Sequence, residues 1–446
     1  MQITVVGLGY VGLVTATCLA RLGQEVIGLE ADASKVDALE RGETPYYEPH
    51  LEGELSAQRA DRRLRFTLDP TLAFRQPDAI LICVGTPSKA SGDADLAAVH
   101  AVLEAIGEHL GRRTVIALRS TVPVGTTRDV EGRLNAALAE RGGPGNVPVL
   151  ANPEFLRTGR AIEDFLHPSR VVLGRTETAA EADVETLATL YRPLEAPIFV
   201  VDAESAELVK NAANSYLATR ISFVNELAAL CEASGASIDA VIEGIAADPR
   251  IGGDYLRPGI GYGGSCLPKD VRSMMAMGAN RGIELPLVAA VDAVNASQPS
   301  RAAARLAAAF GGSLEGRRIA LLGLAFKADT DDIRDSPALA LAAILRREGA
   351  HVVACDPQAA NLVRAQEPWI EVADGPLEAA TDADATILAT EWPEYVTMDL
   401  RALAGAMRGA LLLDARNALD ASHVVGAGLT YMGVGRPGAR PEAQLS

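Results

Sequence analysis

One short run places a nucleophile in unusual company: Gly261-Tyr262-Gly263-Gly264-Ser265-Cys266-Leu267-Pro268-Lys269-Asp270. A cysteine that only packs needs apolar neighbours inside a helix or strand. Cys18, Cys83, Cys231 and Cys355 all have such neighbours. Cys266 instead follows a glycine-rich turn and precedes a helical stretch near 269–279. The N-terminal end of a helix and the nearby Lys269 favour thiolate over thiol. Gly261, Gly263 and Gly264 would let backbone approach a ligand closely. The competing reading is a buried thiol in a tight turn.

A second group lies at the start of the chain. Gly7-x-Gly9-x-x-Gly12 follows the apolar run "QITVV", opens the helical run "LVTATCLARLG", and precedes a second apolar run ending in Glu30, 18 residues beyond Gly12. The glycines permit a tight turn and close approach of a pyrophosphate to a helix N-terminus. Glu30 can bond both ribose hydroxyls and would repel a 2′-phosphate, so the expected cofactor is NAD. "CVGTP" (83–87) ends a later strand at the edge where such folds hold ligands, and Lys35 could stand near the adenosine. A surface lysine fits that position equally well.

A thiolate beside a NAD site suggests oxidation past the aldehyde. Hydride loss from an alcohol gives an aldehyde, and a second hydride can leave only after something adds to the carbonyl. A thiolate gives a thiohemiacetal, then a thioester, which water opens to an acid. That chemistry needs a base and oxyanion donors. Lys210 and Asn214 are spaced i, i+4 on one helical face and could supply the donors. The same spacing describes a solvated polar stripe. Glu154, in "NPEFL" at a strand end, is a candidate base or a helix-start acid.

These residues need elements to hold them. Apolar runs at 2–6, 25–30, 79–84, 114–119, 147–153, 170–175 and 197–202 alternate with alanine-rich helical stretches such as 95–110 and 125–141. The alternation predicts an α/β fold with a mostly parallel, doubly wound sheet. Residues 203 to about 234 read as one long helix, followed by helices at 238–247, near 269–279 and at 285–309. Strands resume at 317–326 and continue at "HVVACDP", "DATILAT" and "ALLLDAR". The expected organisation is 1–202, 203–310 and 311–435, with 436–446 as a disordered tail.

Composition narrows the function. The chain has 446 residues, 48% hydrophobic, with a net charge of −17, which argues against nucleic acid or an anionic membrane as partner. Five unclustered cysteines read neither as a disulfide framework nor as a metal site. With no signal peptide and no apolar run near 18 residues, the cytoplasm is the expected location. Only five of the 41 basic residues are lysine.

The ordered set "GLGYVG", "YYEP", "VGTP", "STVPVGTT", "NPEFL", "KNAANSYLATRISFVNE", "GIGYGGSCLPKD" and "GLAFKADTDDIRDSP" resembles the nucleotide-sugar dehydrogenases of the UDP-glucose/GDP-mannose dehydrogenase family, over about residues 1–430. The resemblance implies two Rossmann-like domains joined by a long central helix, a homodimer, and C6 oxidation of a nucleotide-bound hexose to a uronate with two NAD⁺ and one water. UDP-glucose is the first expectation. TDP-glucose, GDP-mannose or a UDP-N-acetylhexosamine is the alternative, ahead of a two-electron hydroxyacid dehydrogenase or a NAD-binding regulatory protein. By motif, Cys266 is implied as nucleophile, with Lys210 and Asn214 at the C6 oxygen, Glu154 as base or acid, and Asp270 and Thr121 ordering water. The implied cofactor contacts are Gly7, Gly9, Tyr10, Val11, Gly12, Glu30, Lys35, Val84, Thr86, Thr121, Lys269 and Arg334. Substrate contacts are implied for Glu154, Phe155, Leu156, Lys210, Asn214, Tyr255, Leu256, Arg257, Gly263, Lys327 and Arg416, and for Arg250, reaching into a partner's site. Family members commonly carry glutamate where this chain has Thr158.

Overall fold

The computed structural model describes residues 1–441. The chain packs as two compact units. One is Met1–Ala213 with Arg272–Glu284, and the other is Asn214–Val271 with Leu285 onward. The expected helical section 203–310 is thus divided between them. The central helix Ala203–Ser234 and the helix Leu267–Ala279 each contribute to both.

The first unit holds an eight-stranded sheet: β1 (Gln2–Val6), β2 (Glu25–Leu29), β3 (Leu64–Thr67), β4 (Ala79–Ile82), β5 (Val115–Leu118), β6 (Val149–Ala151), β7 (Val171–Arg175) and β8 (Ile198–Asp202). Their order is β3-β2-β1-β4-β5-β6-β7-β8. All pairs are parallel except β6 with β7, which meet antiparallel at Ala151 and Gly174. β4 and β5 are wholly buried, which explains their unbroken apolar sequences. Strand order reverses between β1 and β4, and ligands bind such sheets at the carboxyl ends flanking that point. Those ends carry Gly7–Gly12 after β1, Val84–Thr86 after β4, Ser120–Thr121 after β5 and Asn152–Glu154 after β6.

The second unit holds β9 (Arg318–Leu322), β10 (His351–Cys355), β11 (Glu371–Val372), β12 (Ala385–Leu388), β13 (Leu411–Asp414) and β14 (Thr430–Gly433). They run parallel in the order β11-β10-β9-β12-β13-β14, the same winding as the first six strands.

The expected disordered tail needs correction over its first part. Arg436 donates to Asp239, to the Leu419 carbonyl and to the Tyr431 hydroxyl, and Tyr431 pairs with Ala439. The arginine side chain finds enough partners to offset the entropy of ordering this segment. Residues 442–446 lie outside the described residues. Among the described residues, no helix is long and apolar enough to cross a membrane, and no His/Cys/Asp/Glu group could hold a metal ion.

Candidate active site

In the first unit, Gly7 has φ +85°, and a Cβ on Gly12 would lie 1.8 Å from the Gly7 carbonyl oxygen. Both positions require glycine. A Cβ on Gly9 would meet no heavy atom within 4 Å, so open space lies over the N-terminus of helix Tyr10–Arg21. Glu30 accepts the Leu8 N–H at 2.9 Å and the Ala31 N–H at 2.8 Å, and Lys35 stands 3.8 Å from it. Thr86 Oγ1 donates to the Thr121 carbonyl at 2.7 Å, which fixes the loops after β4 and β5 together. Val84 lies against Gly7. The Tyr10 hydroxyl accepts the Gly159 N–H. The open glycine cradle and the acid after β2 fit a dinucleotide.

Glu154 and Lys210 are both buried and form an ion pair, with Nζ 3.1 Å from Oε1. The reading of Lys210 and Asn214 as a solvated stripe is therefore wrong, since Asn214 is buried too. Burial pushes the Glu154 pKa up. The Lys210 charge, the Leu156 N–H and Arg119 outweigh that and hold the carboxyl below its usual range. The Phe155 ring lies under the Arg170 guanidinium at 3.8 Å and 5.5 Å from Lys210 Nζ.

In the second unit, the Asn214 amide donates to Asp270, and Lys269 Nζ reaches the other Asp270 oxygen at 2.6 Å. Cys266 directly precedes helix Leu267–Ala279, and its carbonyl accepts the Asp270 N–H. It is half-buried, whereas the other four cysteines are buried. Burial pushes the thiols of Cys18, Cys83 and Cys355 up to about 12. Ser265 Oγ lies 3.6 Å from the Cys266 sulfur. The Arg334 guanidinium, whose pKa Asp332 raises most, also interacts with Cys266. Arg334 thus stands beside the loop that carries Cys266, its carbonyl accepting the Gly264 N–H, and a cation there favours thiolate.

The glycines of that loop have a further requirement from the protein's own packing. A Cβ on Gly263 would lie 2.2 Å from the Asp335 carbonyl oxygen, and one on Gly264 would lie 2.7 Å from the Phe326 ring. At Gly261, with φ +100°, it would lie 2.7 Å from Asn295 Oδ1. These glycines admit the protein's own neighbours, which lock the turn. Arg416 is similarly engaged: its nitrogens donate to the carbonyls of Ala389, Gly261 and Phe326. The Leu256 side chain belongs to a core cluster with Val224, Ala228 and Ile238, so only its backbone is left for a ligand. Tyr255 has φ +60°, Arg257 is exposed, and Lys327 lies 5.7 Å from the Phe326 ring. Arg250 is exposed and held by Asp248.

Several contributors escaped the sequence reading. Buried Glu48 accepts the N–H groups of Gly159 and Ala161, fixing the loop after Glu154. Asn225 holds Gly259, and Asn295 holds Tyr262 at both backbone atoms. Buried Arg119 was passed over within a strand. Its only signal was a charge inside "TVIALRS".

Comparison with known proteins finds three consecutive matches to the UDP-glucose/GDP-mannose dehydrogenase family: its NAD binding domain over residues 1–195, its central domain over 204–297 and its UDP binding domain over 320–421. The chain is 41% identical to a UDP-glucose 6-dehydrogenase of Pseudomonas aeruginosa, covering 98% of each. Among solved structures it is similar to a UDP-glucose dehydrogenase of Pyrobaculum islandicum, with TM-score 0.89, 37% identity and 98% of each chain covered. It is also similar to a UDP-D-ManNAc dehydrogenase of Pyrococcus horikoshii, with TM-score 0.84, 28% identity and 98% of this chain and 99% of that one covered.

Proposed function

The chain belongs to the UDP-glucose/GDP-mannose dehydrogenase family, and from that premise we propose that it is an NAD-dependent UDP-glucose 6-dehydrogenase forming UDP-glucuronate. Nearly full-length identity to a relative of that name supports the substrate. The observation that carries the chemistry is the half-buried Cys266 at a helix start, beside Arg334, in a chain whose other cysteines are buried.

Bound NAD⁺ supplies the hydride acceptor for both oxidations. Glu154 takes the C6 hydroxyl proton. Lys210 and Asn214, one turn apart on the central helix, hold the oxyanion that develops. The Cys266 thiolate adds to the aldehyde carbon, forming a C–S bond. The thiohemiacetal loses hydride to become a thioester, and water cleaves the C–S bond, returning the thiolate and releasing carboxylate. Asp270 and Thr121 order that water. In balance, RCH₂OH and H₂O give RCOO⁻ with loss of two hydrides and three protons.

By role, residues 1–202 take NAD, 203–310 carry the helical core, and 311–435 take the nucleotide sugar. Lys269 and Arg334 serve the cofactor. Tyr255–Gly261, Gly263, Lys327 and Arg416 frame the substrate, and Phe155 and Leu156 contact it beside Glu154. We place the enzyme in the cytoplasm as a homodimer to which each copy lends Arg250. The central helix supports this by exposing Tyr216, Phe223 and Leu230 at seven-residue spacing, a stripe that suits a second copy. Phe223→Glu should give a monomer by light scattering, and an unchanged dimer would remove this support.

Asp270→Asn, which impairs the ordering of the hydrolytic water, incubated with NAD⁺ and UDP-glucose, should accumulate a uronyl adduct on Cys266 by peptide mass spectrometry. The native enzyme should form two NADH per sugar. One NADH per sugar with no adduct would refute the thioester route. A panel including UDP-N-acetylhexosamines, TDP-glucose and GDP-mannose tests the sugar.

A further inference from the structure

Arg119 is 5% exposed, at the end of β5. Its Nε donates to Thr15 Oγ1 at 3.1 Å, and its Nη1 donates to Asn152 Oδ1 at 3.1 Å and to the Tyr191 hydroxyl at 3.2 Å. Its guanidinium lies 5.5 Å from the Phe165 ring and 5.9 Å from the Tyr191 ring. Every one of these partners is neutral. Among the described residues, no carboxylate lies within ion-pair distance of it. An arginine sealed in this way is costly, because a buried charge normally needs an opposite charge in contact. A neutral side chain of similar volume would fill the space at less cost, so the charge calls for an explanation.

The ionisable groups that sense Arg119 are Cys18, with its thiol pushed up to about 12 by burial, together with Cys83, Tyr191 and Glu154. Burial keeps the two thiols and the tyrosine protonated, with Cys83 also pushed up to about 12 and Tyr191 raised. Glu154 is then the one anion among them. It is two residues beyond Asn152, which Arg119 grips, and it meets Lys210 from the central helix. The other groups around Glu154 are the Leu156 N–H of its own loop and Cys83 after β4.

We propose that Arg119 is a positioning residue: its fixed, buried positive charge keeps Glu154 ionised, and its grip on Asn152 and Tyr191 holds the strand end that presents Glu154. This rests on the assignment of Glu154 as the proton acceptor. With Lys210 and Arg119 both cationic, two positive charges serve one carboxylate, so Glu154 can stay anionic near neutrality although it is buried.

The test compares Arg119→Gln, Arg119→Lys and Glu154→Gln by the pH profile of kcat/KM and by the infrared carboxylate band that Glu154→Gln removes. Glu154→Gln should abolish the acid limb. If the limb persists, the assignment of Glu154 fails, and this inference with it. Arg119→Gln should move both the limb and the infrared titration up by about one pH unit, so that activity below the limb falls about tenfold. Arg119→Lys, which keeps the charge, should leave both within about 0.3 unit. A folded Arg119→Gln that is less heat-stable but has an unmoved limb would overturn the proposal, since a purely structural role predicts that outcome. If Arg119→Gln does not fold, a shift of a full unit in Arg119→Lys would overturn it.

Discussion

Breaking the Lys210–Glu154 pair from one side should be worse than removing it whole. The charges are 3.1 Å apart, with both side chains 5% exposed or less. At an effective dielectric near 20 their gross attraction is about 5 kcal/mol, much of it offset by desolvation. Stranding one member of such a pair typically costs about 3–5 kcal/mol. The two sides are unequal here. Glu154→Gln removes the carboxylate that Lys210 meets at 3.1 Å while Lys210 and Arg119 both stay buried, so a cost in that range is expected. Lys210→Met leaves Glu154 with Arg119 and the Leu156 N–H, so the loss should be nearer about 2 kcal/mol. The double variant should be more stable than the sum of the singles by about 2 kcal/mol or more. Both tryptophans, Trp369 and Trp392, lie in the second unit, so their fluorescence misses this event. Far-UV circular dichroism in urea, with hydrogen exchange over β4 to β6, reads the correct unit. Because the folded Glu154 pKa is depressed, its contribution is complete above the ordinary carboxylate value near 4.5. It is lost as pH falls through the folded value. The coupling should therefore be present at pH 7 and fade in acid. Additivity within about 0.5 kcal/mol at pH 7 would refute the reasoning.

Gly9→Ala has room for its methyl and should melt like the native protein, while its NAD affinity drops about tenfold or more by calorimetry. Gly12→Ala drives a methyl into the Gly7 carbonyl and should fail to yield folded protein. Cys266→Ser should keep NAD binding and lose uronate formation by about a thousandfold, read as product carboxylate by mass spectrometry. Thr158 sits half-buried between Arg157, which Asp164 pairs, and Gly159, which Glu48 holds. Thr158→Glu should leave kcat within about threefold, and a large kcat gain with unchanged KM would show that the lost glutamate matters to chemistry.

What could be read from sequence was local. Buried parallel strands must be apolar throughout, so β1, β4, β5 and β9 announce themselves, and the central helix does so by length. β3 was missed because Arg65 interrupts four residues on an edge strand, and β11 because it spans only two. Site residues were legible as chemical types but not as partners. Glu154 and Lys210 are 56 positions apart, as are Asn214 and Asp270, and no periodicity links them. The glycines around Cys266 were found, but their tight packing against Asp335 and Phe326 was not legible, because those partners lie some seventy and sixty positions away and no periodicity links them.

The second sheet shows how far one turn can hide. Gly7, with φ +85°, donates its N–H to Leu29, and the next N–H, Leu8, goes to the acid after β2. Gly323, with φ +103°, donates to Cys355, and the next N–H, Leu324, goes to Asp356 after β10. The two turns are built alike, yet no second Gly-x-Gly-x-x-Gly is written there. The two acids are used differently. Glu30 takes backbone N–H groups at one end of the turn and keeps Lys35 beside it. Asp356 accepts four backbone N–H groups and the Trp392 indole N–H, and a Cβ on Gly323 would strike Thr390. A Cβ on Gly7 would likewise meet Val84 at 2.7 Å, so each first glycine is walled by the segment after the neighbouring strand, β4 or β12. Ala325 and Ala328 stand where the second and third glycines of the fingerprint would be, and the turn accommodates their methyl groups. Only the first survives, because the strand-to-turn reversal needs a positive φ whether or not a ligand follows.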